Sequence, residues 1–218
     1  MKAKVARSLA TLNALYPDPT TALNFTTPFE LLVATMLSAQ CTDVRVNIIT
    51  PRLFARYPDA NVMAQASIED IEALIRDCNL FHTKAKHLNE AARLLVERWG
   101  GTVPADRDQL MSLPGVGRKT ANVVVANAFG QDALAVDTHV FRVAHRLGWA
   151  VAKDADGTER ELMKLLPRKT WSKAHHWLIL HGREVCVARR PHCEECPLSP
   201  DCPKVGVLTG PPLGVARP

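Results

Sequence analysis

Residues 113–137, LPGVGRKTANVVVANAFGQDALAVD, constrain this chain more than any other stretch. A tight turn, Leu113-Pro114-Gly115-Val116-Gly117, runs straight into an apolar segment that stops at Gly130 and then reaches an isolated acid, Asp137. Pro114 fixes one backbone angle, and the glycines permit positive φ and close approach of a partner. A turn that opens a helix in this way leaves backbone N–H groups pointing outward, and the positive end of the helix dipole adds to them. The result is an anion site suited to phosphate. Lys119 falls on the first helical turn, where that positive end disfavours an ammonium; a lysine that is neutral part of the time is a nucleophile. A nucleotide-phosphate loop is excluded. It needs four residues between its first glycine and Gly-Lys-Thr, and the order here is Gly115-Val116-Gly117-Arg118-Lys119-Thr120. The bland alternative is an ordinary corner between two helices carrying a surface lysine.

The rest of the chain reads as helical. Val5, Leu9, Leu12 and Leu15 share one side of a first helix that Tyr16-Pro17-Asp18-Pro19 ends. Residues 29–39, FELLVATMLSA, are too long for a typical strand and read as a buried helix. Pro51 is expected to kink or restart the helix over 42–57. Ser67 caps a helix that runs to about Cys78-Asn79, and residues 83–99 form another that Gly100-Gly101 terminates. A short helix at 106–113 feeds the glycine turn, and the β-branched run after Arg118 reads as helix by its length and flanks. Asp137 caps a helix carrying Val140, Phe141, Ala144 and Leu147, and two more follow at 158–166 and 170–184. No segment shows clean period-two alternation, so the class is all-α, with about ten helices. Residues 204–218, rich in Pro and Gly, are expected to be disordered.

With 218 residues and 47% hydrophobic content the chain can bury one large core or two small ones. A net charge of +5 favours an anionic partner without proving one. No apolar run approaches the ~18 residues of a membrane span, and the start is too polar for a signal peptide, so the chain is read as cytosolic. Cys41 and Cys78 stand alone, whereas Cys186-x6-Cys193-x2-Cys196-x5-Cys202 crowds four thiols into 17 residues. In a reducing compartment such a cluster is a metal site. Spacing leaves zinc and iron–sulfur both open. The single C-x2-C pair and unequal gaps lean toward iron–sulfur. The basic loop between the first two cysteines, VARRPH, can be held rigidly against a phosphate backbone by such a site without redox work.

Four pieces now combine: LSAQCTD at 37–43, LPGVGRKTANVV at 113–124, AVDTHVFRV at 135–143, and the cysteine pattern. Together they resemble the endonuclease III family, helix–hairpin–helix DNA glycosylases with abasic-site lyase activity, over nearly the whole chain. The resemblance implies a two-lobed all-helical protein. A six-helix barrel lobe would span 20–131, with the helix–hairpin–helix at about 106–129; a cluster lobe would combine 1–19 with 132–203. It implies a [4Fe-4S] cluster on Cys186, Cys193, Cys196 and Cys202. Lys119 would be the nucleophile and Asp137 the essential carboxylate. Gln40 would fill the space of a flipped-out nucleotide and Leu80 would wedge into the stack. The turn Gly115, Val116, Gly117 and Arg118, with Lys84 and Arg190, would complete the contacts to double-stranded DNA bearing a damaged or abasic nucleotide. Oxidised pyrimidines such as thymine glycol are the substrates implied, with a lysine Schiff base, β-elimination and a monomeric enzyme. His139 is expected to be structural, and a metal role for His175, His176 and His181 is disfavoured. Two departures stand out: Cys41 where the family commonly has a small residue, and Arg190 where a lysine is usual.

Adenine-mismatch and pyrimidine-mismatch glycosylases of the same fold generally lack the lysine at the position of Lys119. A binding module without catalysis leaves Lys119 and Asp137 unexplained together, and an electron-transfer protein leaves the hairpin unexplained.

Overall fold

A computed structural model describes residues 2–207. Among these residues there is no strand. The α-helices are α1 (Lys2–Leu15), α2 (Pro28–Leu37), α3 (Asp43–Arg56), α4 (Ala60–Ala64), α5 (Ile68–Ile75), α6 (Phe81–Trp99), α7 (Arg107–Met111), α8 (Arg118–Phe129), α9 (Thr138–Arg146), α10 (Ala155–Leu165) and α11 (Trp171–Glu184). Helix starts follow local chemistry: Thr27, Thr42, Asp59, Ser67, Asp106, Asp137 and Asp154 each accept a first-turn N–H on the side chain. α6 and α8 end at Gly100 and Gly130, both left-handed.

Sequence periodicity misplaces several boundaries. α3 runs through Pro51 as one helix, because its buried face of Val46, Ile49, Thr50 and Leu53 holds both halves on the core while Pro51 stays exposed. α5 ends at Ile75 rather than near Cys78, and α6 starts at Phe81. Cys78–Leu80 therefore form a turn. α4 was not foreseen: it is one turn long, too short to show a period. α10 begins at Ala155, three residues before the expected start at Thr158, because Asp154 supplies its cap.

The chain divides into two compact units. The first takes in the described residues of Met1–Asp18, Val136–Pro167 and Ala174–Pro218; the second takes in Pro19–Ala135 and Arg168–Lys173. The second unit holds a continuous apolar core of Leu, Ile, Val, Met and Phe side chains. α2 is buried along nearly its whole length and packs on α8, while α6 packs on α4 and α5. The first unit relies more on polar ties. Trp177 donates from Nε1 to the Tyr16 carbonyl at 2.9 Å, and the Tyr16 hydroxyl donates to Glu184 at 3.0 Å. Arg7 grips Asp201 with two nitrogens at 2.6 and 3.0 Å.

Residues 208–218 of the expected disordered tail lie outside the described residues. The stretch 204–207 does not drift away: Val205 N donates to the Arg146 carbonyl at 3.2 Å.

Candidate functional site

The hairpin turn lies in the second unit, between α7 and α8. Leu113 and Val116 are buried in its core and anchor the turn from below. Gly115 has φ +75°, and a Cβ there would come within 2.8 Å of His87 Nδ1, so both conformation and space demand glycine. Gly117 begins α8 with no side-chain cap, and a Cβ built on it would meet nothing within 4 Å. The first N–H groups of α8 thus face an open surface at the positive helix end. Lys119 is exposed on that same first turn. One turn on, buried Asn122 donates to the Leu134 carbonyl at 2.9 Å and ties the segment after α8 back onto the helix.

Two further turns of the same unit meet. Asn79 donates from Nδ2 to the Gln40 carbonyl at 2.8 Å. Gln40 and Leu80 are both exposed and both left-handed, at φ +55° and +60°. That conformation is costly for residues with a side chain and persists where the surroundings enforce it, often at functional positions. Leu80, at 56% exposure, is among the few large apolar side chains left in solvent. Lys84 corrects the expected DNA contacts. It is only 6% exposed, and its ammonium points inward, donating to the carbonyls of Leu37 at 2.7 Å and Ala39 at 2.6 Å and to Cys78 Sγ at 3.1 Å. The end of α2 supplies carbonyls without helical partners, and Lys84 satisfies them. It shapes the Gln40 turn from inside instead of touching phosphate.

In the first unit, Asp137 is half-buried and caps α9: Oδ1 accepts from His139 N at 2.9 Å and Val140 N at 2.8 Å. Among the described residues its Oδ2 takes no hydrogen bond. Burial lowers the pKa of His139 despite the pull of Asp137, and Arg142 Nη2 stands 3.2 Å from its Nδ1. A neutral ring accepting that bond is a structural histidine, as expected. Arg142 and Arg146, one turn apart on α9, then clamp the start of the cysteine loop. Arg142 donates to the carbonyls of Cys186 and Gly182, at 3.1 and 2.8 Å, and Arg146 to those of Val187 and Ala188, at 2.7 and 2.9 Å. These arginines were missed. Their spacing of four on one helix face was visible, but their partners lie some 40 residues away.

Cys186, Cys193, Cys196 and Cys202 line one cavity, together with Arg146, His181 and Val143. All four thiols are free. Burial pushes Cys196 and Cys202 up, and the neighbouring sulfurs push them further, so four thiolates here require a cationic centre. Among the described residues no three His, Cys, Asp or Glu side chains converge tightly enough to hold a metal ion. Four cysteine sulfurs around one cavity are a donor set that fits an iron–sulfur cluster. His175, His176 and His181 are buried on α11, and burial lowers His176 and His181 to about 4. Arg190, exposed in the cysteine loop, is left-handed at φ +53°.

Comparison with known proteins agrees with this geometry. The model of the HhH-GPD superfamily of base excision DNA repair proteins matches residues 33–168, and the iron-sulfur binding domain of endonuclease III matches 186–202, from the first clustered cysteine to the last. The chain is 50% identical over 203 residues to endonuclease III of Synechocystis, covering 93% of each chain. To endonuclease III of Escherichia coli it is 46% identical over 204 residues, covering 92% of this chain and 95% of that one. A solved structure of a trapped endonuclease III–DNA covalent intermediate, an estranged-adenine complex, superposes with a TM-score of 0.89 at 44% identity, over 94% of this chain and 96% of that one. A thermostable thymine-DNA glycosylase, 23% identical with a TM-score of 0.83, shares the fold. The chain is therefore a helix–hairpin–helix protein of base excision DNA repair. Within that superfamily it belongs to the endonuclease III family, the DNA glycosylases with abasic-site lyase activity that carry a [4Fe-4S] cluster.

Proposed function

We propose that this enzyme removes oxidised pyrimidines such as thymine glycol from double-stranded DNA and cuts the abasic site by β-elimination through a Schiff base on Lys119. The observation that carries this reading is the exposed Lys119 on the open, uncapped first turn of α8, in a family one of whose members has been trapped covalently on DNA. The outward N–H groups and Arg118 hold a DNA phosphate and so bring the sugar to the lysine. Lys119 Nζ attacks the C1′ carbon of a nucleotide turned out of the stack, and the C1′–N bond to the base breaks. Asp137 Oδ2 takes the proton that Lys119 gives up, or stabilises the positive charge building on the sugar. The iminium then acidifies the adjacent sugar proton, and elimination expels the 3′ phosphate. Gln40 and Leu80 fill the gap and offset the unstacking cost. The two exposed left-handed turns support this, because they hold side chains out where packing alone would draw an apolar leucine in.

Cys186, Cys193, Cys196 and Cys202 hold the cluster, which when bound supplies rigid cross-linking of the loop. That loop presents Arg190 to a phosphate. The two units are read as the barrel lobe and the cluster lobe, and the enzyme as a monomer.

The test mixes protein with a labelled duplex carrying one thymine glycol, adds borohydride and looks for a trapped adduct on a denaturing gel. Wild type gives the adduct and Lys119→Gln does not. An adduct on abasic DNA alone would keep the lyase and remove thymine glycol as substrate. Binding without an adduct on either duplex would overturn the covalent mechanism.

A further inference from the structure

The repair chemistry uses neither Cys41 nor Cys78, yet the fold brings them together. Cys78 is buried in the core of the second unit, and Cys41, half-buried, packs against the same core. They sit in the two turns that carry Gln40 and Leu80. Three ties hold those turns side by side: Cys78 Sγ to the Leu37 carbonyl at 3.3 Å, Asn79 Nδ2 to the Gln40 carbonyl at 2.8 Å, and the Lys84 ammonium bridging Ala39 O and Cys78 Sγ at 2.6 and 3.1 Å. Burial pushes the Cys78 thiol up from its ordinary value, and the Lys84 ammonium works against that. The Asn79–Gln40 tie joins the residues next to the two cysteines, so a thiol in a solvent-reachable turn lies in the turn beside one next to a buried cation, the arrangement of an attacking and a resolving pair. The four remaining cysteines line the cavity of the other unit.

We propose that Cys41 and Cys78 form a thiol-reversible disulfide when the enzyme meets hydrogen peroxide, and that this bond locks the 38–41 turn to the 78–80 turn. In the first step the Cys41 sulfur attacks the peroxide, the O–O bond breaks, and Cys41 becomes a sulfenic acid with release of one water. In the second, Cys78 attacks that sulfur; the S–O bond breaks, an S–S bond forms, and the Cys78 proton leaves with a second water. The peroxide is reduced and both thiols are oxidised. Lys84 favours the attacking thiolate by its charge. A dithiol reductant reverses the bond. Where Gln40 and Leu80 enter DNA, which rests on the function proposed above, a locked pair of turns cannot seat them, and affinity for a flipped nucleotide falls.

The experiment treats holoenzyme with hydrogen peroxide at a dose that leaves the visible absorbance of the cluster intact, then maps peptides by mass spectrometry without reduction. A linked peptide pair containing Cys41 and Cys78, removed by dithiothreitol and absent from Cys41→Ala, is the expected result. No linked pair, or a link from Cys78 to Lys84 instead, overturns the proposal. The same samples are titrated with a duplex carrying a tetrahydrofuran abasic analogue, which cannot form a Schiff base. Oxidised wild type should bind about tenfold more weakly than reduced, as when one inserted side chain no longer fills the stack, with Cys41→Ala unaffected by peroxide. A linked pair with unchanged affinity overturns the lock. Failure of the reduced enzyme to bind the analogue at all would count against the proposed function instead.

Discussion

The two units are held together by different physics. Most of the fully buried leucine, isoleucine and methionine side chains belong to the second unit, with Leu12, Leu162 and Leu178 in the first, and the second unit also contains Lys119, Gln40 and Leu80. Its turns are strained and exposed because a dense aliphatic core beneath them can absorb the cost. The first unit buries fewer large apolar groups. It depends on Arg142 and Arg146 clamping loop carbonyls, on buried histidines of α11, and on four thiols around a cavity. A loop of that kind without regular structure gains its order from side-chain donors and from the metal group its sulfurs hold. The comparison teaches that strained, exposed turns can rest on ordinary core packing, whereas a loop with little core needs an internal brace.

The sharpest way to break this contrast is to remove the brace. Cys202→Ala, or extraction of iron by a chelator, should cost more stability than any single apolar truncation. Hydrogen exchange should show α9 and α11 losing protection while α2, α6 and α8 keep theirs. Uniform loss across both units would refute the division. The converse change is Leu37→Ala in the second unit, where the side chain is fully buried. It should lower the unfolding free energy by about 2–5 kcal/mol in urea while leaving the cluster absorbance unchanged. A bleached cluster in that variant would show the two regions to be one cooperative whole.

Acid provides a third separation. His176 is held neutral by burial, its pKa lowered to about 4, whereas in the unfolded chain it titrates near its ordinary value of about 6.5. The unfolded state therefore binds the extra proton between those values. The stabilisation is complete above about pH 6.5 and lost as pH falls toward about 4, amounting to about 3 kcal/mol at most for this group. Melting temperature against pH should fall more gently in His176→Gln; equal slopes would remove the histidine from the account. The smallest effect is also the most pointed. Leu80→Gly relieves a left-handed residue and should raise stability by about 1 kcal/mol, less whatever its added chain entropy takes back. Duplex affinity should fall in the same variant. If stability and affinity rise together, the strain at Leu80 serves packing rather than DNA.

Much of this was legible in the residues. Caps at Ser67 and Asp137, the stops at Gly100 and Gly130, and the all-helical class follow from interactions within a few positions along the chain. The glycine turn and the cysteine spacing are local too. What the residues alone left hidden depends on contacts between distant segments. Lys84 reads as one more surface cation until the end of α2 is laid against it, and then its ammonium has three inward partners, two of them 47 and 45 positions away. Arg142 and Arg146 look like solvated charge until the cysteine loop returns to α9. Cys41 and Cys78, isolated by 37 positions in the chain, become a pair only when two turns pack. Short-range chemistry chose the helices and the reactive groups. Tertiary packing decided which cations stay in solvent and which serve as internal caps, because burial and long-range hydrogen bonds exist only once the chain has closed on itself.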